Sequence, residues 1–230
     1  QSDFDKLVKT SKFSNEEIQF KKNFLNNFIK KGFPNRKQED WKFLDISQII
    51  KKNISNLSYF NDYSQSNKID PSIFVDGLEH NKIIFINGRI EKIDFNFEDQ
   101  NKIEIIDENK KDISFDYENS LIDLNSAFTD KVFKILVKKN YSLKKPLIIY
   151  HSINDEIKST NINLRLDFEL GENSCLKLID YFSNNTAKNF INIFYNFNLE
   201  KDSILKNYKI DKLRNDNLKY SFNNIEQGNN

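Results

Sequence analysis

From residue 132 onward the chain is a series of short apolar-rich runs separated by polar turns. VFKILV begins at 132, LIIYHS at 147, INLRLDFEL at 162, CLKLIDYF at 175, FINIFYNFNL at 190, ILKNYKI at 204 and LKYSFNNI at 218, so the onsets lie 13 to 15 residues apart. The connections GENS, SNNTAK, EKDS and RNDN are short and polar, with no helix long enough for a βαβ crossover. A meander, a sandwich or a parallel solenoid all satisfy this pattern. The even spacing favours the solenoid, in which each strand stacks on its counterpart one coil earlier. Within INLRLDFEL, Ile162, Leu164, Leu166, Phe168 and Leu170 face one way, and Asn163, Arg165, Asp167 and Glu169 the other. That alternation predicts a half-buried strand with a solvated outer face. The last run passes into NNIEQGNN without a capping helix or polar cover, and a solenoid cannot stop on an open rung without exposing core and edge. The expectation is a β-helix truncated at its C-terminal end, with more chain following.

The first third reads differently. In SNEEIQFKKNFLNNFIKKGFP, Ser14 and Glu17 make a capping box, in which hydroxyl and carboxylate each satisfy a free N–H at the helix start. Ile18, Phe24, Leu25, Phe28 and Ile29 recur at helical spacing, Lys30 and Lys31 suit the negative end of the dipole, and Gly32 with Pro34 stops the helix. Trp41, Leu44, Ile49 and Ile50 predict a second, less regular helical stretch, and the Asn- and Ser-rich run from Asn53 to Lys68 a loop. At 83–93, IIFINGRIEKI places Asn-Gly between apolar-rich runs, the signal of a type I′ hairpin, whose central residues both need positive φ. SLIDLNSAFTD predicts a short helix.

Composition removes several function classes. Thirty-five basic residues against thirty-four acidic ones leave a formal net charge of +1, and only four of the bases are Arg (36, 89, 165 and 214). No global field draws the chain to nucleic acid, and the side chain best shaped for phosphate and base contacts is scarce. The longest apolar runs, such as Ile83 to Ile86 and Leu147 to Tyr150, are far short of the roughly 20 residues that span a bilayer. One Cys excludes an intramolecular disulfide framework, and no leader pattern opens the chain, so a cytoplasmic location is expected. The chain starts with Gln and contains no Met, which reads as a fragment.

Candidate chemistry is sparse. His80, His151 and Cys175 are the only imidazoles and thiol, and none lies within 20 residues of another, against the short ligand spacings of zinc sites. Cys175 starts a strand after a turn and is expected to be a buried structural thiol; a nucleophile pair with His151 lacks an orienting partner. Asp155, Glu156, Asp167 and Glu169 are carboxylates with no groove to mark them. Only the stretch RKQEDWKFLD combines an indole with bases, at Arg36, Lys37, Trp41 and Lys42.

That stretch carries a resemblance. GFPNRKQEDWKFLD is similar to the signature near the N-terminus of SufD, a scaffold family of the SUF iron–sulfur cluster assembly system, through Pro34, Glu39, Asp40, Trp41, Lys42, Phe43 and Asp45. Leu44 stands where the family usually has Thr, which puts a hydroxyl cap there in doubt. IIFINGRI resembles the family's Phe-Val-Asn-Gly-Arg hairpin, and LNSAFTDKVFKILVKKNYSLKKPLIIYHS its lead into the β-helix. SufB shares the β-helix but lacks the signature.

The resemblance implies a mainly β chain with an N-terminal α-helical region and a right-handed parallel β-helix. Its expected divisions are a helical region at 1–68, a connecting region with hairpin and short helix at 69–130 and a partial β-helix at 131–230. It implies a non-catalytic scaffold that pairs with SufB and the SufC ATPase through parts mostly absent here, with no catalytic, cofactor-binding or metal-binding residue carried over. The iron–sulfur cluster is then handled by the full complex, with neither nucleic acid nor membrane as partner. On this reading Trp41 anchors the helices against the start of the scaffold and is largely buried. A polysaccharide-acting or polysaccharide-binding β-helix is the alternative, and a nucleic-acid module built on Trp41 a weaker one.

Overall fold

The computed structural model describes residues 2–54, 56–60, 69, 71–108, 119–154, 157–184, 188–213 and 217–228. It is mainly β, with N-terminal helices and a parallel β-solenoid of about three turns over residues 132–227. The helices are α1 (Ser2–Thr10), α2 (Asn15–Lys31), α3 (Ile46–Asn53) and α4 (Ser120–Phe128). The strands are β1 (Asn81–Ile86), β2 (Arg89–Asp94), β3 (Ile103–Glu108), β4 (Val132–Val137), β5 (Leu147–Ser152), β6 (Asn161–Leu170), β7 (Cys175–Asn184), β8 (Phe190–Leu199), β9 (Ile204–Leu213) and β10 (Leu218–Gln227). Every predicted strand of the periodic region forms. α1 and β3 are additions that the sequence reading did not anticipate, and most of the expected 53–68 loop lies outside the described residues.

Each coil contributes two strands, one to each of two sheets, ordered β2-β1-β5-β7-β9 and β3-β4-β6-β8-β10. The spacing in the sequence is therefore strand to strand, and the structural repeat is twice as long: Phe190 of β8 pairs in parallel with Leu218 of β10. Antiparallel strands close the N-terminal side, β2 on β1 and β3 on β4. The β1–β2 turn is the predicted one, with Asn87 at φ 55° and Gly88 at φ 83°. A Cβ on Gly88 would lie 3.1 Å from the Ile162 side chain, so glycine also lets the turn rest on β6.

The coil corners repeat a local device. Asn140, Asn173 and Asp202 all take positive φ, between 55° and 57°, after short polar turns, and Asn173 Nδ2 donates to Asn140 Oδ1 at 3.0 Å. Asn and Asp tolerate this left-handed conformation, so the polar connections are the mechanism of turning. Gly171 sits beside this corner where a Cβ would meet Lys139 N at 2.6 Å.

Between the sheets, inward residues such as Ile149, Leu166, Phe168, Leu178, Ile193 and Phe197 form the main core. A second core joins Phe4, Leu25, Phe28, Ile46, Ile50 and Leu124 to Phe190, and so fastens the helices to the outer face of the β4-β6-β8-β10 sheet. This layer corrects the expected solvated face of β6. Arg165 and Asp167 are 1% and 2% exposed and pair with each other at 3.0 Å. α4, buried at every residue, packs against β6 and β8. Asn125 on α4 donates to Leu164 O at 3.1 Å and Asn192 O at 2.8 Å, and Asn192 returns a bond to Leu121 O at 2.8 Å. Glu169, farther along β6, is half-exposed and pairs with Lys134.

The capping box on α2 forms as predicted, with Glu17 N donating to Ser14 Oγ at 3.2 Å and Ser14 N to the Glu17 carboxylate at 2.7 Å. The second helical stretch is broken instead. Glu39–Trp41 is one 3-10 turn and α3 starts only at Ile46, because Asp45 caps it through Gln48 N at 2.8 Å. Among the described residues no helix is long and apolar enough to cross a membrane.

Candidate functional site

The signature residues come together as a structural fastening. Pro34 is buried and accepts from Ser47 N through its carbonyl, tying the end of α2 to α3. Trp41 is half-buried and tilts against Tyr220 of β10, ring centroids 5.8 Å apart. Tyr220 also accepts from Asn119 Nδ2 at 2.7 Å, just before α4. The expected anchor therefore exists with two corrections: the indole is only partly covered, and it grips β10 instead of the start of the solenoid. Glu39 and Lys42 pair with each other at 2.7 Å on the surface, Asp40 is exposed, and Asp45 is spent on the α3 cap. Arg36 and Lys37 are exposed and Phe43 is 86% exposed, with Lys42 Nζ 5.4 Å from its ring. Leu44, in place of the family's Thr, is exposed as well.

The two imidazoles do not converge. His80 is buried on the outer face of the β5 sheet, where its Nδ1 lies 2.6 Å from Leu78 O and its Nε2 2.7 Å from the Tyr150 hydroxyl. Burial lowers its pKa, which fits a neutral ring donating from Nδ1 and accepting from the phenol. Cys175 is half-exposed, contrary to the expected buried thiol, because it starts β7 at a coil corner. Among the described residues no group of three or more His, Cys, Asp and Glu could hold a metal ion. Asp155 and Glu156 lie outside the described residues.

His151 has the orienting partner that was missing from sequence. Its Nε2 lies 2.7 Å from Asp180 Oδ1, with both side chains almost wholly buried between the sheets. The ring is stacked on Phe182 at 4.3 Å and on Phe85 at 5.4 Å. Strand register explains the placement: Phe85, His151, Phe182 and Asp211 are successive partners up one inward column, and Ile149, Asp180 and Lys209 up the next. On the facing sheet, Leu166, Tyr195 and Asn223 form a column. The interior thus passes from apolar to polar toward β9 and β10. Lys209 Nζ donates to Ser221 Oγ at 2.6 Å and Asn223 Oδ1 at 3.0 Å while lying 4.6 Å from the Tyr195 ring centroid. Lys219 Nζ pairs with Asp211 at 2.5 Å over the Phe182 ring. The last described strands thus turn Lys209, Asp211, Ser221 and Asn223 inward, while Ile225, in register with Phe197, stays 59% exposed.

Electrostatics follow from burial and pairing. Burial pushes the Asp180 carboxyl up, yet the His151 ring bonded to it and Lys219 nearby hold it below the ordinary value of 3.8. Burial and the Asp180 charge raise Tyr195 well above the usual phenol range. Burial lowers Lys209, with Asp180 opposing. Tyr195 Oη and Asp180 Oδ2 are buried without a hydrogen bond of good geometry. These groups are able to hold charge and fix a proton. The signal that could have found Asp180 was its position in CLKLIDYF, in phase with Leu176, Leu178 and Phe182.

Compared with known proteins, the chain matches no family model and no curated sequence.

Proposed function

We propose that this chain is a non-catalytic scaffold component of iron–sulfur cluster assembly, as its resemblance to SufD implies, working with SufB-like and SufC-like proteins in the cytoplasm. It holds its partners by the geometry of a rigid β-solenoid and binds no cofactor itself; the cluster is handled by the full complex. The observation that carries this reading is the use made of the signature. Pro34, Trp41 and Asp45 join helix to helix and helix to β10, and the Glu39–Lys42 pair lies at the rim. Such residues define a shape and perform no chemistry. The polysaccharide alternative also uses a parallel β-solenoid, but the paired Arg and Asp of β6 that an exposed sugar groove would use are buried. The nucleic-acid alternative needs an exposed indole beside bases, whereas Trp41 leans on Tyr220.

The test is co-expression of the full-length chain with SufB-like and SufC-like proteins of the same genome. Recovery of a stoichiometric complex supports the proposal. A folded chain that binds neither protein refutes it, and retention on acidic glycans would transfer the assignment to the alternative.

A further inference from the structure

Where the β1–β2 turn meets α1 and the C-terminal end of α4, the surface sinks into a two-part cleft. The outer part has a volume of about 830 Å3, within the range of small-molecule sites. A narrow inner part of about 60 Å3 reaches Tyr59, Phe128 and Asn163. The parts are continuous, since Arg89, Asp130, Lys131 and Phe133 belong to the walls of both.

Chemistry differs along its length. The outer part is lined by the cations Lys12, Arg89 and Lys131 and by the carboxylates Asp107 and Asp130, a surplus of positive charge. Both carboxylates are engaged within the wall: Asp130 accepts from Ser11 Oγ at 2.7 Å and from Arg89 at 3.1 Å, and Asp107 pairs with Lys131. Each pair cancels one cation against one acid, so the surplus that would attract an oxyanion is that of Lys12, beside the guanidinium of Arg89 and the ammonium of Lys131. Ile90 and Phe133 supply apolar wall beside them. At the inner end, Asn163 gives its Nδ2 to Asn161 Oδ1 at 2.8 Å, and its own Oδ1 is buried with no partner. A buried acceptor among aromatic rings calls for an N–H or O–H that the protein does not provide. The inner volume admits a few heavy atoms and excludes a ring.

We propose that this cleft binds a small organic carboxylate with an apolar body and a single amine or hydroxyl at its far end. The carboxylate meets Lys12 beside Arg89 and Lys131, the body lies along Ile90 and Phe133, and the terminal donor enters the narrow part to reach Asn163 Oδ1. The site stands apart from the proposed scaffold role in that none of the signature residues from Pro34 to Asp45 lines it.

The test is isothermal titration of the full chain with 4-(aminomethyl)benzoate. Two truncated probes accompany it, 4-ethylbenzoate without the donor and 4-methylbenzylamine without the carboxylate. The expected result is saturable binding of the first and at least about tenfold weaker binding of each of the others, the size of a lost charge-assisted hydrogen bond. Arg89→Gln should weaken both benzoates alike, whereas Asn163→Leu should reduce the aminomethyl probe to the level of the ethyl one. Asn163→Asp, which keeps the shape and adds charge, should tighten the amine probe. Thermal unfolding without ligand identifies any variant that fails to fold, and the two Asn163 variants are then read against each other. Absence of binding at millimolar concentration, equal binding of the three probes, or an aminomethyl affinity unchanged by both Asn163 substitutions would overturn the proposal.

Discussion

Replacing His151 by Phe changes the charge environment of Asp180 while leaving packing nearly constant, since a phenyl ring can keep the stack between Phe85 and Phe182. The Asp180 side chain is 0% exposed and loses the partner it holds at 2.7 Å. Leaving a buried carboxylate without the partner that satisfies it costs about 3–5 kcal/mol. Lys209 and Lys219 sit close enough to offset part of this, so about 3 kcal/mol is the expected loss. Asp180→Leu should cost about 2 kcal/mol, because it leaves His151 Nε2 unpaired in the core and takes the counter-charge from Lys209. The double variant, with no charge at either position, should be less destabilised than His151→Phe alone. Urea unfolding followed by circular dichroism measures all three; for a chain of this size His151→Phe should lower the thermal midpoint by about 6–12 °C. The acid limb supplies a second reading. The folded pKa of Asp180 is depressed, so its stabilisation is present above about 3.8 and disappears as pH falls below that through the lower folded value. The wild-type advantage over Asp180→Leu should shrink in that window. Costs in the double variant equal to the sum of the singles would mean that the residues are not coupled, and the reasoning would fail.

Asn125→Leu removes the donor to the carbonyls of Leu164 and Asn192, and should cost about 2–4 kcal/mol in urea unfolding and loosen α4 from β6. Glu98 accepts from Asn81 Nδ2, the Tyr141 hydroxyl and the backbone N–H groups of Lys144 and Lys145, which together hold its pKa below 4.5 against burial that raises it. Glu98→Gln should therefore cost about 1–2 kcal/mol at neutral pH, and much less once the pH falls below the folded pKa, as acid denaturation curves of the two proteins would reveal. Trp41→Ala should cost about 1–2 kcal/mol and speed amide exchange along β10, whereas Phe43→Ser, which removes an exposed ring, should stay within about 0.5 kcal/mol.

The periodic strands were legible because one face of each is buried against the other sheet, and burial writes alternation into the sequence. The same logic misled on β6: polar residues opposite an apolar face look solvated unless their cover is visible, and the cover, α4, lies some forty residues earlier in the chain. Arg165 and Asp167 tolerate that cover by pairing with each other. α1 escaped notice because its buried residues are only Phe4 and Leu7, too few for a periodic signal. β3 did so because IEIIDE alternates poorly. The signature turn was legible as a motif, but its grip on Tyr220 was not, since a contact between residues so distant leaves no local trace. Asp180 and Lys209 were legible in principle, as charges in phase with Leu on inward columns.

Those inward charges bear on how a solenoid chooses its register. Ladders of Ile, Leu and Phe stack nearly as well after a slip of two residues, because the inward face is kept and one apolar side chain replaces another. A slip of β7 on β5 by two residues toward Leu147 would carry Asp180 about 6–7 Å along the strand, away from its 2.7 Å contact with His151. It would also set the buried carboxylate beside Leu147. A slip of one would turn Asp180 outward and bring Ile179 into the core. The His151–Asp180 contact thus penalises these two alternatives by the cost of an uncompensated buried charge, which exceeds what the apolar ladder alone could impose. The doubly apolar variant is the discriminating case. It should be nearly as stable as wild type, yet its backbone amide spectrum should show more than one strand register, whereas a single set of resonances would mean that turns and corner asparagines fix the register without help from the core.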